Sequence, residues 1–166
     1  MVGREKELEE LQRYLALAKE GKGKTIFISA EAGVGKTRLM REFLNSVKQE
    51  KTIVTLSGWC LFNAEIPYFP FIEAFNSYYS SLGERSSKEE LEISSLLKEP
   101  AKTGLSNKLE YLSPQALKDQ TFAAVAKTIH SIATEKPVIL LIEDVHWADS
   151  ASLALLHYIA RTINGS

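Results

Sequence analysis

Apolar residues recur along this 166-residue chain in two patterns, a helical spacing and short unbroken runs. Residues 4–19 place Leu8, Leu11, Leu15 and Ala18 on one helical face, with Glu and Lys on the other. Gly21-Lys22-Gly23 ends that helix. A β-branched and aromatic run, Thr25-Ile26-Phe27-Ile28, predicts a strand over about residues 24–29. A second helix then runs to about Glu50 and buries Leu39, Phe43, Leu44 and Val47, with Arg38 and Arg41 on its solvated face. Residues 52–58 read as a second strand. Strand, helix and strand in that order imply parallel pairing within one sheet through a right-handed crossover.

Residues 59–80 are rich in aromatics, with Pro67 and Pro70 punctuating a loop and a helix starting near Phe71. No Arg or Lys interleaves with those rings, so they read as packing and not as a platform for bases. Glu84 to Lys98 has helical composition, with Leu91, Leu96 and Leu97 available to pack, and Pro100, Gly104 and Asn107 break the stretch after it. Ser113-Pro114 is a helix start, Ser as N-cap and Pro in the first turn. Leu117, Val125, Ile129 and Ile132 give that helix its buried stripe, and Lys136-Pro137 stops it. Val138 to Ile142 is an aliphatic run that predicts a strand covered on both faces. Glu143-Asp144 closes it, and a last helix from about Ser150 to Thr162 buries Leu153, Leu156 and Ile159.

Composition adds little to this picture. Hydrophobic residues make up 45% and charged residues 25%, ordinary for a globular chain of one domain. The net charge of −1 gives no electrostatic argument for a nucleic-acid or membrane partner. The lone cysteine, Cys60, excludes an internal disulfide. The N-terminus is charged and lacks the apolar segment of a signal peptide, and the run from Val138 to Ile142 is too short to span a bilayer. A cytoplasmic protein is expected.

The chemistry lies in two stretches. Ala30-Glu31-Ala32-Gly33-Val34-Gly35-Lys36-Thr37, between the first strand and the second helix, forms a phosphate-binding loop. Gly33 and Gly35 free the backbone to turn successive N–H groups toward phosphate oxygens. The helix N-terminus adds further donors. Lys36 reaches the β and γ phosphates, and the Thr37 hydroxyl is placed to ligate Mg²⁺. The first glycine of the full pattern falls on Ala30, the smallest replacement, where the turn only begins. The second stretch is the aliphatic strand ending in Glu143 and Asp144. One acid of such a pair orients Mg²⁺ and the other polarises the attacking water. Asn107-Lys108-Leu109-Glu110 is only loosely like a guanine-reading motif; it ends in Glu and precedes the acidic strand, so it reads as chance.

Glu-Ala-Gly-Val-Gly-Lys-Thr-Arg-Leu, together with Leu-Ile-Glu-Asp-Val-His-Trp-Ala-Asp, resembles the signal-transduction (STAND-type) AAA ATPase modules of large regulatory proteins. Val2-Gly3-Arg4-Glu5 resembles the box that opens those modules, and Gly58-Trp59-Cys60 with Ile66 to Phe71 resembles the segment after their second strand. The resemblance implies an α/β P-loop NTPase fold, three-layer αβα with a parallel sheet. It also implies ATP and Mg²⁺ as ligands. Val2 and Arg4 would lie near adenine and ribose, and Ala32, Gly33, Val34, Gly35, Lys36, Thr37 and Arg38 would form the nucleotide-binding stretch. Thr37 and Glu143 would serve the metal, and Asp144, Glu143 and Lys36 would carry catalysis. The first acid is usually Asp; Glu143 is one methylene longer, which leaves open which carboxylate faces the metal. For Trp147 packing is expected, for Asp149 or Ser150 capping, for His146 a hydrogen-bonded structural place with contact to the γ-phosphate region as the alternative, and for His130 and His157 structural or exposed positions.

The resemblance further implies a sensor strand, a last strand and a helical lid that this stretch lacks, so the expectation is a single truncated core over residues 1–166 with a helical insertion at about 71–135. Losing the sensor strand removes a central strand. The loop strand and the acidic strand then either pair directly or leave a gap with exposed apolar surface. Three functions compete. The first is the ATP-hydrolysing switch core of a regulatory ATPase, with weak turnover in isolation and with protein partners or self-association through missing regions. The second is a nucleotide-holding assembly module without turnover. The third, a small-molecule kinase, is disfavoured because Arg85 but no arginine cluster lies between the motifs.

Overall fold

The computed structural model describes residues 3–31, 33–48, 50, 52–62, 66–82, 93, 95, 97 and 113–164. The elements are α1 (Glu5–Lys19), α2 (Lys36–Lys48), β1 (Val54–Trp59), α3 (Phe69–Leu82), α4 (Pro114–Glu135), β2 (Val138–Glu143), a 3-10 turn (Val145–Trp147) and α5 (Ser150–Asn164). The insertion expected at about 71–135 is described only in part: Leu91, Leu96 and 98–112, with the guanine-like stretch, lie outside the described residues. Ile93 and Leu97 are helical and buried.

Among the described residues two strands form the sheet. β1 and β2 run parallel, with Val54 opposite Val138 and Trp59 opposite Glu143. Side chains alternate across a strand, so each face receives its own helices. Leu56, fully buried, joins Val54, Val138 and Leu140 in a core with α3, α4 and α5. Ile139 points the other way, into a smaller core made by Leu11 and Leu15 of α1 and Leu39, Phe43 and Val47 of α2. Helices therefore cover both faces, an α/β layering with a parallel sheet.

Local signals explain the element ends. Gly21 takes the left-handed conformation that ends α1 (φ +78°). The Ser113 hydroxyl accepts from Ala116 N at 3.2 Å, and Pro114 follows it. Asp149 Oδ1 accepts from Ala151 N and Ser152 N, both at 2.9 Å, and so caps α5.

Four expectations are corrected. The strand over 24–29 does not form: these residues belong to neither strand of the sheet, and β1 pairs with β2 and not with them. Ile26, Phe27 and Ile28 are 40%, 75% and 40% exposed. Strand β2 has a core against each face, as expected, but its residues stay half-buried along its whole length and none is fully covered. α3 begins at Phe69, so Pro70 sits in its first turn and not in a loop. In α5 Leu153 is exposed, while Leu155 and Ser152 are buried beside Ile159.

Candidate functional site

The phosphate loop is shaped by its glycines. Gly33 (φ +81°) and Gly35 (φ +93°) both occupy the left-handed region. A Cβ at Gly33 would meet nothing within 4 Å, so backbone conformation and not crowding is what calls for glycine there. Val34 between them is exposed. Gly35 O accepts from Leu39 N at 3.0 Å, which starts α2 directly at the loop. Lys36, the first residue of α2, folds back over the loop. Its Nζ donates to Ala30 O at 2.6 Å and to Glu31 O at 3.1 Å. Those two carbonyls hold the ammonium at the loop.

Thr37 and Arg38 follow on the exposed first turn of α2. Arg38 is turned along its helix to Glu42, Nε to Oε1 at 3.2 Å. Arg4 comes to the loop from the other side. Its Nη2 donates to Val34 O at 2.9 Å, and its Nη1 pairs with Glu7 at 2.9 Å. Val2 and Ala32 lie outside the described residues.

The acidic pair stands at the tip of β2. Glu143 ends the strand, and its carbonyl accepts from Cys60 N at 2.9 Å. Asp144 turns sharply into the left-handed region (φ 55°, ψ 40°), a position tolerated by Asp far better than by branched residues. The turn is closed by Trp147 N donating to Asp144 O at 2.8 Å. Trp147 meets the ring of Phe62 edge-on at 4.4 Å, and His146 and His157 are exposed, as is His130.

Behind the tip sits a buried polar corner. Asp149 holds the Ser152 hydroxyl as well as its two capped amides. Burial pushes the Cys60 thiol up to about 11, with the charges of Asp149 and Asp144 adding to it. Burial, then Asp149, also raises Tyr68, a residue with left-handed backbone (φ 61°).

The expected residues thus form two groups. Arg4, Val34, Lys36 and the loop carbonyls are joined by hydrogen bonds, and Glu143 and Asp144 stand with Cys60 and Trp147. Among the described residues no hydrogen bond or ion pair links the groups; α2 reaches β2 through the core contact at Ile139. Among the described residues no three acidic, His or Cys side chains gather into a metal cage. The oxygen donors present, Thr37 and the two acids, fit Mg²⁺, which is held by one or two protein oxygens with phosphate and water supplying the rest. The aromatic-rich stretch packs as read, Phe62 on Trp147 and Tyr68 in the core, but the Arg4–Val34 bond was not foreseen. Only Gly58, a glycine inside a strand, carried a readable hint of close backbone approach.

A family model described as AAA ATPase domain matches residues 1–164. An uncharacterized protein of Rhizobium meliloti (strain 1021) is 21% identical over 180 aligned residues, covering 98% of this chain. The chain spans 17% of that relative's length. No solved structure matches the chain. Among the described residues no helix is long and apolar enough to cross a membrane.

Proposed function

The chain belongs to the AAA ATPase domain family, and from that membership we propose that it is the Mg-ATP-binding core of a regulatory, STAND-type ATPase in which hydrolysis resets a conformational switch. The observation that carries this reading is the loop: two left-handed glycines flanking Val34, with the Lys36 ammonium turned back over the loop's own carbonyls. Phosphate oxygens bear full negative charge and outcompete the carbonyl dipoles for that ammonium. The loop N–H groups and the start of α2 then orient the triphosphate.

Thr37 and one acid at the tip of β2 would hold Mg²⁺, which when bound neutralises phosphate charge. The second acid orients the water. The backbone leaves the strand in a left-handed turn at Asp144, directly after Glu143, which suits a division of labour between the two acids. Val2 is proposed beside the base and ribose, and Arg4, bonded to Val34 O, at the loop next to them. Arg38, engaged with Glu42, is the weakest member of the proposed binding set. The buried free thiol of Cys60 supports a reducing, cytoplasmic setting.

In the intact protein, a further strand would fill the gap beside β2. The exposed Ile26-Phe27-Ile28 segment supports this, and protein partners would read the switch through regions outside this stretch. The same gap favours a second reading for the stretch alone, nucleotide binding without turnover.

Binding and phosphate release, measured on one preparation, test both. Wild type should bind ATP·Mg at least about tenfold more tightly than Lys36→Ala, as expected for losing a charge-assisted bond. Equal binding would sink the ATPase reading. Tight binding with no phosphate release from the longer protein would select the assembly module.

A further inference from the structure

Val34 lies between Gly33 and Gly35, both with left-handed φ. Glycine takes either sign of φ at little cost, so sterics alone leave the direction of the Val34–Gly35 peptide open. One contact settles it. The Arg4 guanidinium, supplied from 30 positions earlier in the chain, donates to Val34 O at 2.9 Å. Glu7 holds the other end of the guanidinium at 2.9 Å, and the Arg4 side chain is 25% exposed. The backbone of Arg4 is fixed too, since its carbonyl accepts from Leu8 N at 3.1 Å at the start of α1. α1 in turn is packed on α2 through Leu11, Leu15, Leu39, Phe43 and Val47. The guanidinium is therefore a strut from a fixed helix to the most permissive point of the loop.

In a planar trans peptide, C=O and N–H point in opposite directions. Holding the Val34 carbonyl toward α1 turns the Gly35 N–H away from α1. We propose that Arg4 is a positioning residue of the phosphate loop: through the Val34 carbonyl it aims the Gly35 N–H at the phosphates. The inference rests on reading this loop as a phosphate site. Glu7 balances the charge of Arg4, so the effect is one of direction more than of added positive charge.

The test compares Arg4→Met and Arg4→Lys with wild type, using ATP and inorganic tripolyphosphate as probes. A strut acting on the loop weakens both probes alike, by about threefold to tenfold in Arg4→Met for one lost hydrogen bond. Arg4→Lys, which keeps a donor near Val34, recovers part of that loss. Without any ligand, the Gly35 amide signal in Arg4→Met shifts by NMR, while Leu11, Leu39 and Phe43 amides stay in place. Loss confined to ATP would assign Arg4 to the base and ribose and overturn the proposal. An unmoved Gly35 amide with unchanged affinities overturns it as well. If Arg4→Met does not fold, Arg4→Lys carries the same two comparisons. Should wild type hold neither probe, the nucleotide reading fails, and the amide signal alone decides whether Arg4 sets the peptide.

Discussion

Cys60 leaves β1 with its amide bonded to Glu143 O and its side chain 5% exposed. Its thiol faces Asp149 and Asp144 across a poorly solvated corner, which keeps it neutral. That neutrality has a pH signature. An unfolded chain gives up the thiol proton near pH 9, and the folded one near pH 11. Between those values the folded state holds the extra proton, so stability falls as pH rises through that window and is unaffected below it. Thermal melts from pH 8 to 11 on wild type and Cys60→Ala should show the decline flattened in the variant. The difference in slope is the readout, because removing the sulfur also changes packing. Equal slopes would place the thiol in contact with water. Little of this corner was legible beforehand. Asp149 as a cap follows from its place before an amphipathic run. Its closeness to Cys60 and Tyr68 depends on three separate segments meeting, and no local pattern encodes that.

At the scale of elements, Gly58 shows why one glycine sits inside β1. A Cβ there would lie 1.8 Å from the carbonyl oxygen of Pro70. The first turn of α3 thus rests directly on the strand backbone, and Phe71, Ile72 and Phe75 enter the core beside Leu56. Gly58→Ala must push α3 off the sheet, and the obstacle is backbone, which cannot swing aside as a side chain does. A loss of about 3 kcal/mol is expected, the upper end for overpacking, read as a lower midpoint in urea. A midpoint within error of wild type would mean α3 shifts freely. Element types were readable where periodicity was long: α1, α2, α4 and α5 fall within a few residues of expectation. The 24–29 run failed for a physical reason. β-branched and aromatic residues favour extended backbone, but a strand exists only with a partner. Among the described residues β1 and β2 pair only with each other, and neither supplies the 24–29 run with a ladder. Leu153 misled for a related reason, since α5 turns Ser152 and Leu155 to the core, and the Asp149 cap satisfies the buried serine.

For the molecule as a whole, the two-stranded sheet leaves a testable asymmetry. The ladder closes with Val54 N bonded to Pro137 O at one end and Cys60 N to Glu143 O at the other, both at 2.9 Å. In a parallel pair, alternate residues of each strand face the partner. With those ends fixed, even-numbered residues of β1 bond to odd-numbered ones of β2. The backbone groups of Ile139 and Leu141 therefore face β1, and those of Leu140 and Ile142 face the open edge, where no strand pairs with them among the described residues. Their side chains are half-buried, so exchange at these amides reports pairing more than exposure. Hydrogen exchange should show Ile139 and Leu141 protected and Leu140 and Ile142 exchanging at least about a hundredfold faster, since opening free energies range from near zero up to the global value. Ile26, Phe27 and Ile28 should exchange quickly as well. Uniform protection along β2 would mean that the loop segment, or another copy of the chain, pairs with that edge in solution. The same measurement on any longer chain that contains this stretch would separate the readings of the gap. If a further strand fills it, protection appears at Leu140, Ile142 and the 26–28 segment together. The loop then gains a rigid strand behind it, which Arg4 alone does not supply.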